Sequence, residues 1–414
     1  MDALVDSLFR RQAGRLAGML TRQLGPHRLT LAEDAVQDAL LKALQTWPLG
    51  GVPDNPTAWL YQVARRSALD RLRHERVVAD KAGAVAAERP SEADDPRLPD
   101  EATPFADDEL VMMFLTCHPA LAPEARVALT LKVVGGFGVG EIARAFLMQA
   151  PAVAQRLVRA KRTLREFRVP FALPARHAVA ERLASVLDAL YLMFSEGHAP
   201  TAGPQALKED VAEEAMRLVT LLARHADTAR PETHALRALM LLHAARFPGR
   251  VVGDDLQLLA TQDRSTWDGV LLAEGLRALD RAATGPEETR FHLEAAIAAA
   301  HAAAPSWAAT DWPAILSLYD ALVARWPSPV AALNRVIAFA QVFGAAAALD
   351  EAAPLVSDPR LARYHRLPAV LADLHARAGN PVRAAALFDE ALGHEMAAPE
   401  RRLLESRRAA LRGL

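Results

Sequence analysis

No regular helix can run through the stretch from Glu88 to Glu109, where nine acidic residues stand against Arg89 and Arg97 and Pro90, Pro96, Pro99 and Pro104 follow one another closely. A chain interrupted in this way folds as separate blocks. Its length of 414 residues points the same way, being ordinary for roughly two to four domains. The pattern predicts a helical block at 1–78, an acidic proline-rich linker at 79–107, a second helical block at 108–170 and a long helical remainder at 171–414.

The fold class reads as all-α. Period-two alternation is rare, aromatics are few, and Ala, Leu, Arg and Glu dominate at helical spacing. Charged residues break every apolar run well before the roughly 20 residues of a spanning helix, and Asp2, Asp6 and Arg10 leave no signal-peptide core. A cytoplasmic protein with no membrane association is expected. The single cysteine, Cys117, excludes an internal disulfide and a multi-cysteine zinc site. A net charge of −2 conceals segregation. Five arginines lie between Arg65 and Arg76 against Asp70 and Glu75, and six basic residues lie between Arg156 and Arg168 against Glu166.

In the first block, Val36, Leu40, Ala43, Leu44 and Trp47 recur as one apolar stripe, with Asp34, Gln37 and Asp38 together on the opposite side. A turn-rich stretch from Pro48 to Asp54 leads to Asn55-Pro56, a cap followed by proline at the first helical position. The helix that starts there offers Leu60, Val63, Ala64 and Ala68 to a core and sets Gln62, Arg66, Asp70 and Arg73 on another face. By itself that face fits either a solvated surface or a set of guanidiniums positioned by Asp70. In the second block a helix around Glu141-Ile142-Ala143, a tight turn, and a basic helix from Pro151 to Arg168 follow the order of a helix-turn-helix. Val153, Leu157, Ala160 and Leu164 form the core stripe of the last helix, and Gln155, Arg156, Arg159 and Arg162 lie together toward solvent. Gln and Arg suit base edges and phosphates in a major groove, although an ordinary amphipathic helix pair has the same pattern.

Taken together, two basic helical units joined by an acidic linker resemble an extracytoplasmic-function (ECF) sigma factor. Glu33 to Leu44 resembles the region 2.2 helix, which docks on the β′ clamp of core RNA polymerase, so the resemblance implies polymerase binding by Asp34, Gln37 and Asp38. Trp59 to Arg73 is similar to regions 2.3 and 2.4, implying −10 promoter contacts by Arg65, Arg66 and Arg73. The loop from Pro48 to Asn55 would hold a flipped promoter base. The segment Val153 to Lys161 resembles region 4.2, which implies −35 contacts by Gln155, Arg156, Arg159, Lys161 and Arg162 and an association with the β flap. Arg66 and Ser67 stand where many relatives have an Asn-centred pair. Ala150, Pro151 and Ala152 stand where they often place an acidic residue and Thr.

The runs Phe114-Leu115-Thr116-Cys117-His118-Pro119, Tyr191 to His198, Asp311-Trp312-Pro313 and Ser328 to Arg335 resemble the group with a C-terminal tetratricopeptide-like extension, ECF group 42. Ala384, Phe388 and Ala391, echoed by Ala345, Leu349 and Ala352, have the spacing of that repeat's second helix, and irregular helices would show it too. A stacked extension presents a concave surface for a protein partner. Cys117 beside His118, Glu196 with His198, and His225, His234 and His243 read as structural, so no catalytic group, metal or cofactor is expected. The expected function is promoter-specific transcription initiation, with the extension modulating it or binding a partner. A free-standing helix-turn-helix regulator and a tetratricopeptide scaffold with a degenerate sigma half are the alternatives.

Overall fold

A computed structural model describes residues 2–81, 105–145, 148–200, 203–253 and 255–411, and these are almost wholly helical. The chain divides into two compact units, 1–193 and 194–414. The expected linker falls largely outside the described residues, with helices reaching into it from both sides.

The first unit contains α1 (Asp2–Leu24), α2 (Leu29–Gly50), α3 (Pro56–Lys81), α4 (Phe105–Thr116), α5 (Pro123–Val133), α6 (Val139–Ala145), α7 (Ala150–Glu166) and most of α8 (Arg176–His198). Helices α2 and α3 pack on each other and on α1, and Ala39, Ala43, Ala64 and Ala68 are each essentially without solvent exposure. The expected stripe of α2 is corrected. Val36, Ala43 and Trp47 are buried, but Leu40 lies at the rim and Leu44 is 43% exposed. Asn55 caps α3 as expected, its Oδ1 accepting from the Ala58 amide at 3.0 Å. The turn before it is shorter than expected. Pro48 lies inside α2, whose last turn closes through the Gly51 amide and the Trp47 carbonyl at 2.9 Å, a bond that asks no donor of proline.

The compact unit also runs past residue 170. Val179, Leu183, Val186 and Leu190 of α8 are buried, and Arg126 of α5 donates to Ser185 at 3.4 Å. Cys117 is fully buried beside Thr130 (3.3 Å), and burial pushes its thiol up to about 11. At neutral pH it is a packing residue.

The second unit continues with α9 (Glu209–Arg224), α10 (Pro231–Ala244), α11 (Phe247–Arg250), α12 (Gly269–Ala282), α13 (Arg290–Ala303), α14 (Trp312–Arg325), α15 (Pro329–Phe343), α16 (Ala345–Val356), α17 (Arg366–Arg377), α18 (Pro381–Leu392) and α19 (Ala398–Ala410). A two-stranded antiparallel ladder, β1 (Val251–Val252) and β2 (Asp255–Leu256), interrupts them. From α13 onward each helix packs on the next. Asp311, Ser328 and Asn380 cap α14, α15 and α18 through side-chain oxygens, each followed by proline in the first turn. Ala384, Phe388 and Ala391 are buried, whereas in α16 the fully buried pair is Ala348 and Ala352, flanked by Ala345 and Leu349.

Candidate nucleic-acid interface

Helix α7 owes its form to the apolar stripe Val153, Leu157, Ala160 and Leu164, all buried as the spacing predicts. Its first turn has no side-chain cap: Gln149 precedes it in extended conformation without a capping bond, and Pro151 supplies the helical φ instead. In α6 the Glu141 carboxylate accepts from the Gly138 amide at 2.7 Å, which anchors the entry to the helix-turn-helix. With the core stripe underneath, Gln155 and Arg159 are exposed, Arg156 is half-buried, and Arg162 is exposed while bonded to Glu166 at 2.7 Å. These four side chains form the polar face expected of a groove-reading helix.

Lys161 does not share that face. Two residues on from Arg159, it points to the other side of the helix and pairs with Glu33 of α2 at 2.5 Å, with side-chain exposures of 17% and 9%. The end of α7 also packs on the 3-10 turn Pro26–Arg28, where burial and the charges of Arg28, Arg165 and Arg168 lower the His27 imidazole. Two further pairs cross between the two helical blocks. Arg15 and Arg22 of α1 reach the buried Glu109 and Asp108 of α4. Gly14 lets α1 approach the end of α5 as well, because a Cβ there would sit 2.4 Å from the Val134 carbonyl oxygen.

On α2 and α3, Asp34 and Asp38 are less available than their spacing suggests. Arg71 bonds to both, at 3.2 and 2.6 Å, and Ser67 donates to Asp38 at 2.6 Å. Arg71 and Ser67 thus tie α3 to α2, a role that needed both helices in place to be seen. Gln37 remains exposed, in line with Leu41 (57% exposed) and Leu44, so the outer face of α2 is mixed apolar and polar. Arg66 is exposed, Arg65 half-buried, and Arg73 exposed but bonded to Asp70 at 3.1 Å. Asp34, Asp38, Arg66, Asp70 and Arg71, with Arg165 of α7, line a cleft of about 1090 Å³. Alternating charges of both signs make this cleft a poor binder of any simple ion. Among the described residues no group of His, Cys, Asp or Glu is arranged to hold a metal, and no helix is long and apolar enough to cross a membrane.

Comparison with known proteins agrees with this arrangement. Residues 8–77 match sigma-70 region 2, residues 112–164 match sigma-70 region 4, and residues 182–283 match a family of unknown function, DUF6596. Over 179 residues, 43% of this chain and 60% of the relative, the chain is 27% identical to the probable ECF RNA polymerase sigma factor SigI of Mycobacterium tuberculosis. The fold and these matches place sigma-70 region 2 and region 4 in one helical chain that continues into a helical C-terminal part, with a weaker similarity to an ECF sigma factor. The chain belongs to the same family as the uncharacterized protein R00370 of Rhizobium meliloti (strain 1021), with 37% identity over 369 residues, 88% of this chain and 86% of that one. No solved structure matches it.

Proposed function

We propose that this protein is a non-enzymatic transcription initiation factor that brings core RNA polymerase to promoters, as a member of the ECF group with a tetratricopeptide-like extension. The observation that carries the reading is the pairing of a region 2 match with a region 4 match whose helix α7 turns Gln155 and Arg159 outward over a complete core stripe. In this reading Arg65, Arg66 and Arg73 serve the −10 element, and Gln155, Arg156, Arg159 and Arg162 serve the −35 element. Lys161 reaches DNA only after release from Glu33. Asp34 and Asp38 shape α2 through Arg71, and Gln37 with Leu41 and Leu44 meets the β′ clamp. Region 4 meets the β flap, and the extension binds a protein partner or modulates initiation.

Engagement of a promoter by both halves requires the three ion pairs between them to open, since α7 rests against the turn before α2 in this structure. The test is run-off transcription with reconstituted core polymerase. Promoter-specific transcripts are expected to require the protein, and Arg159→Ala is expected to lower them roughly tenfold through loss of one groove contact. Leu41→Arg is expected to abolish them while leaving the fold intact. Tight duplex binding by the protein alone, with no effect on polymerase, would instead identify a free-standing helix-turn-helix regulator.

A further inference from the structure

Six separate segments of the second unit bring basic side chains to one place. His198 ends α8, His243 lies in the last turn of α10, Arg246 and Arg250 lie four residues apart around α11, and Arg264 sits in a 3-10 turn. His301 of α13 and Arg366 of α17 complete the set. Arg250 Nη1 lies 2.7 Å from His198 Nε2, and the His198 and His243 rings are 4.9 Å apart. Arg246 and Arg264 stand over Trp267, at 5.5 and 4.9 Å from its ring centre. The carboxylate that meets this cluster is Glu400, and it is already held by Arg366 at 2.9 Å and His365 at 3.1 Å.

What is missing from the cluster is a counter-charge: Arg246 Nε donates to Gln262 Oε1 and Arg264 Nη1 to the His301 and Ala304 carbonyls, all of them neutral acceptors. Arg250 Nε and Arg264 Nη2 are sealed from solvent with no hydrogen-bond partner, and both atoms can only donate. One nitrogen of each of His198, His243 and His301 is in the same condition. Desolvated guanidiniums without counter-charge are costly, and such groups call for an ion or ligand. Burial and the neighbouring guanidiniums push Arg250 down to about 9 and His243 to about 3, so at neutral pH the arginines stay charged and His243 is neutral. The side chains as wholes are only half-buried, so each keeps some accessible surface beside these sealed atoms.

We propose that this cluster binds the phosphoryl group of a small molecule, with Arg246 and Arg250 as its forked donors and His198 and His243 beside them. Four guanidiniums against one carboxylate leave an excess that a phosphate dianion matches better than a single carboxylate does, and guanidinium geometry fits two phosphate oxygens at once. The inference is independent of the promoter-directing role, because binding is read on the protein alone.

The experiment is thermal unfolding of the full-length protein titrated with inorganic phosphate, with chloride and acetate as controls at matched ionic strength. Phosphate is expected to raise the melting temperature saturably by about 3 °C or more, and the controls are not. Arg250→Gln is expected to weaken the apparent affinity about tenfold or more. Arg250→Lys, which keeps the charge and loses the fork, covers the case in which the glutamine variant does not fold, and it should weaken binding as well. Arg408→Gln, at an exposed pair with Asp389, should leave the response unchanged. An equal rise with chloride or acetate, an unaltered response in both Arg250 variants, or an equal loss in Arg408→Gln overturns the proposal.

Discussion

The two units bury charge in opposite ways. In the first, each deeply buried carboxylate named above has a basic partner: Glu33 has Lys161, Asp108 has Arg22, and Glu109 has Arg15. In the second, Arg246, Arg250 and Arg264 converge with no carboxylate bonded to any of them among the described residues. The desolvation cost is the same in kind. In the first unit each carboxylate faces a cation across the joint between the two helical blocks, although at Glu33 the pairing offsets only part of the burial cost. In the second the guanidiniums meet neutral acceptors, Gln262 Oε1, His198 Nε2 and the His301 and Ala304 carbonyls, which satisfy hydrogen bonds without balancing the charge.

The sharpest break in this comparison is Glu400→Gln, which deprives Arg366 and His365 of their carboxylate and should cost about 3–5 kcal/mol in denaturant unfolding. Burial raises the Glu400 carboxyl, but hydrogen bonding from His365 and the charge of Arg366 outweigh it and hold Glu400 down to about 2. A depressed carboxylate contributes stability that is present above its unfolded value and lost as pH falls through the folded one. The acid limb of the stability curve, from about pH 4.5 down to 2, should therefore flatten in Glu400→Gln. Glu33 has the opposite sign. Burial outweighs Lys161 and raises its carboxyl, so the joint weakens as pH rises from the ordinary carboxylate value through the raised one.

Next in size, Glu33→Gln and Lys161→Met should each cost up to about 3 kcal/mol, and the double variant less than their sum. A strictly additive cycle would dissolve the joint as an energetic unit. The Gly14→Ala variant should lose about 1–3 kcal/mol, because the added methyl meets backbone that cannot turn aside. Smallest is Asp38→Ala, about 0.2–1 kcal/mol, since both Asp38 and Arg71 are some 40% exposed. A larger loss there would mean that α2 and α3 depend on the tie more than on their buried alanines.

Helical periodicity made much of the first unit legible. The stripe Val153, Leu157, Ala160 and Leu164 and the Asn55-Pro56 start are local patterns, and local patterns survive folding because they depend on one helix's own geometry. Leu44 shows the limit of such patterns: spacing tells which residues share a face but not where a neighbouring helix stops covering it, and Leu44 is 43% exposed while Ala43 and Trp47 beside it are buried. The partners of charged groups were illegible. Lys161 lies on α7 among exposed basic neighbours, yet its partner is 128 positions away in sequence, 161 minus 33, and no periodicity relates the two.

The sequence by itself determined an all-α chain, the core stripe and basic residues of α7, and a resemblance to sigma-70 regions 2 and 4, because each of these is written in spacing or in short contiguous motifs. Tertiary structure decided where the acidic linker's neighbours meet, which basic side chains are exposed and which are paired, and that His198, His243, Arg250, Arg366 and Glu400 share one cluster. The physical reason is that burial and charge pairing are properties of segments brought together. A histidine among leucines on one helix reads as core until the arginines that surround it arrive from elsewhere in the chain.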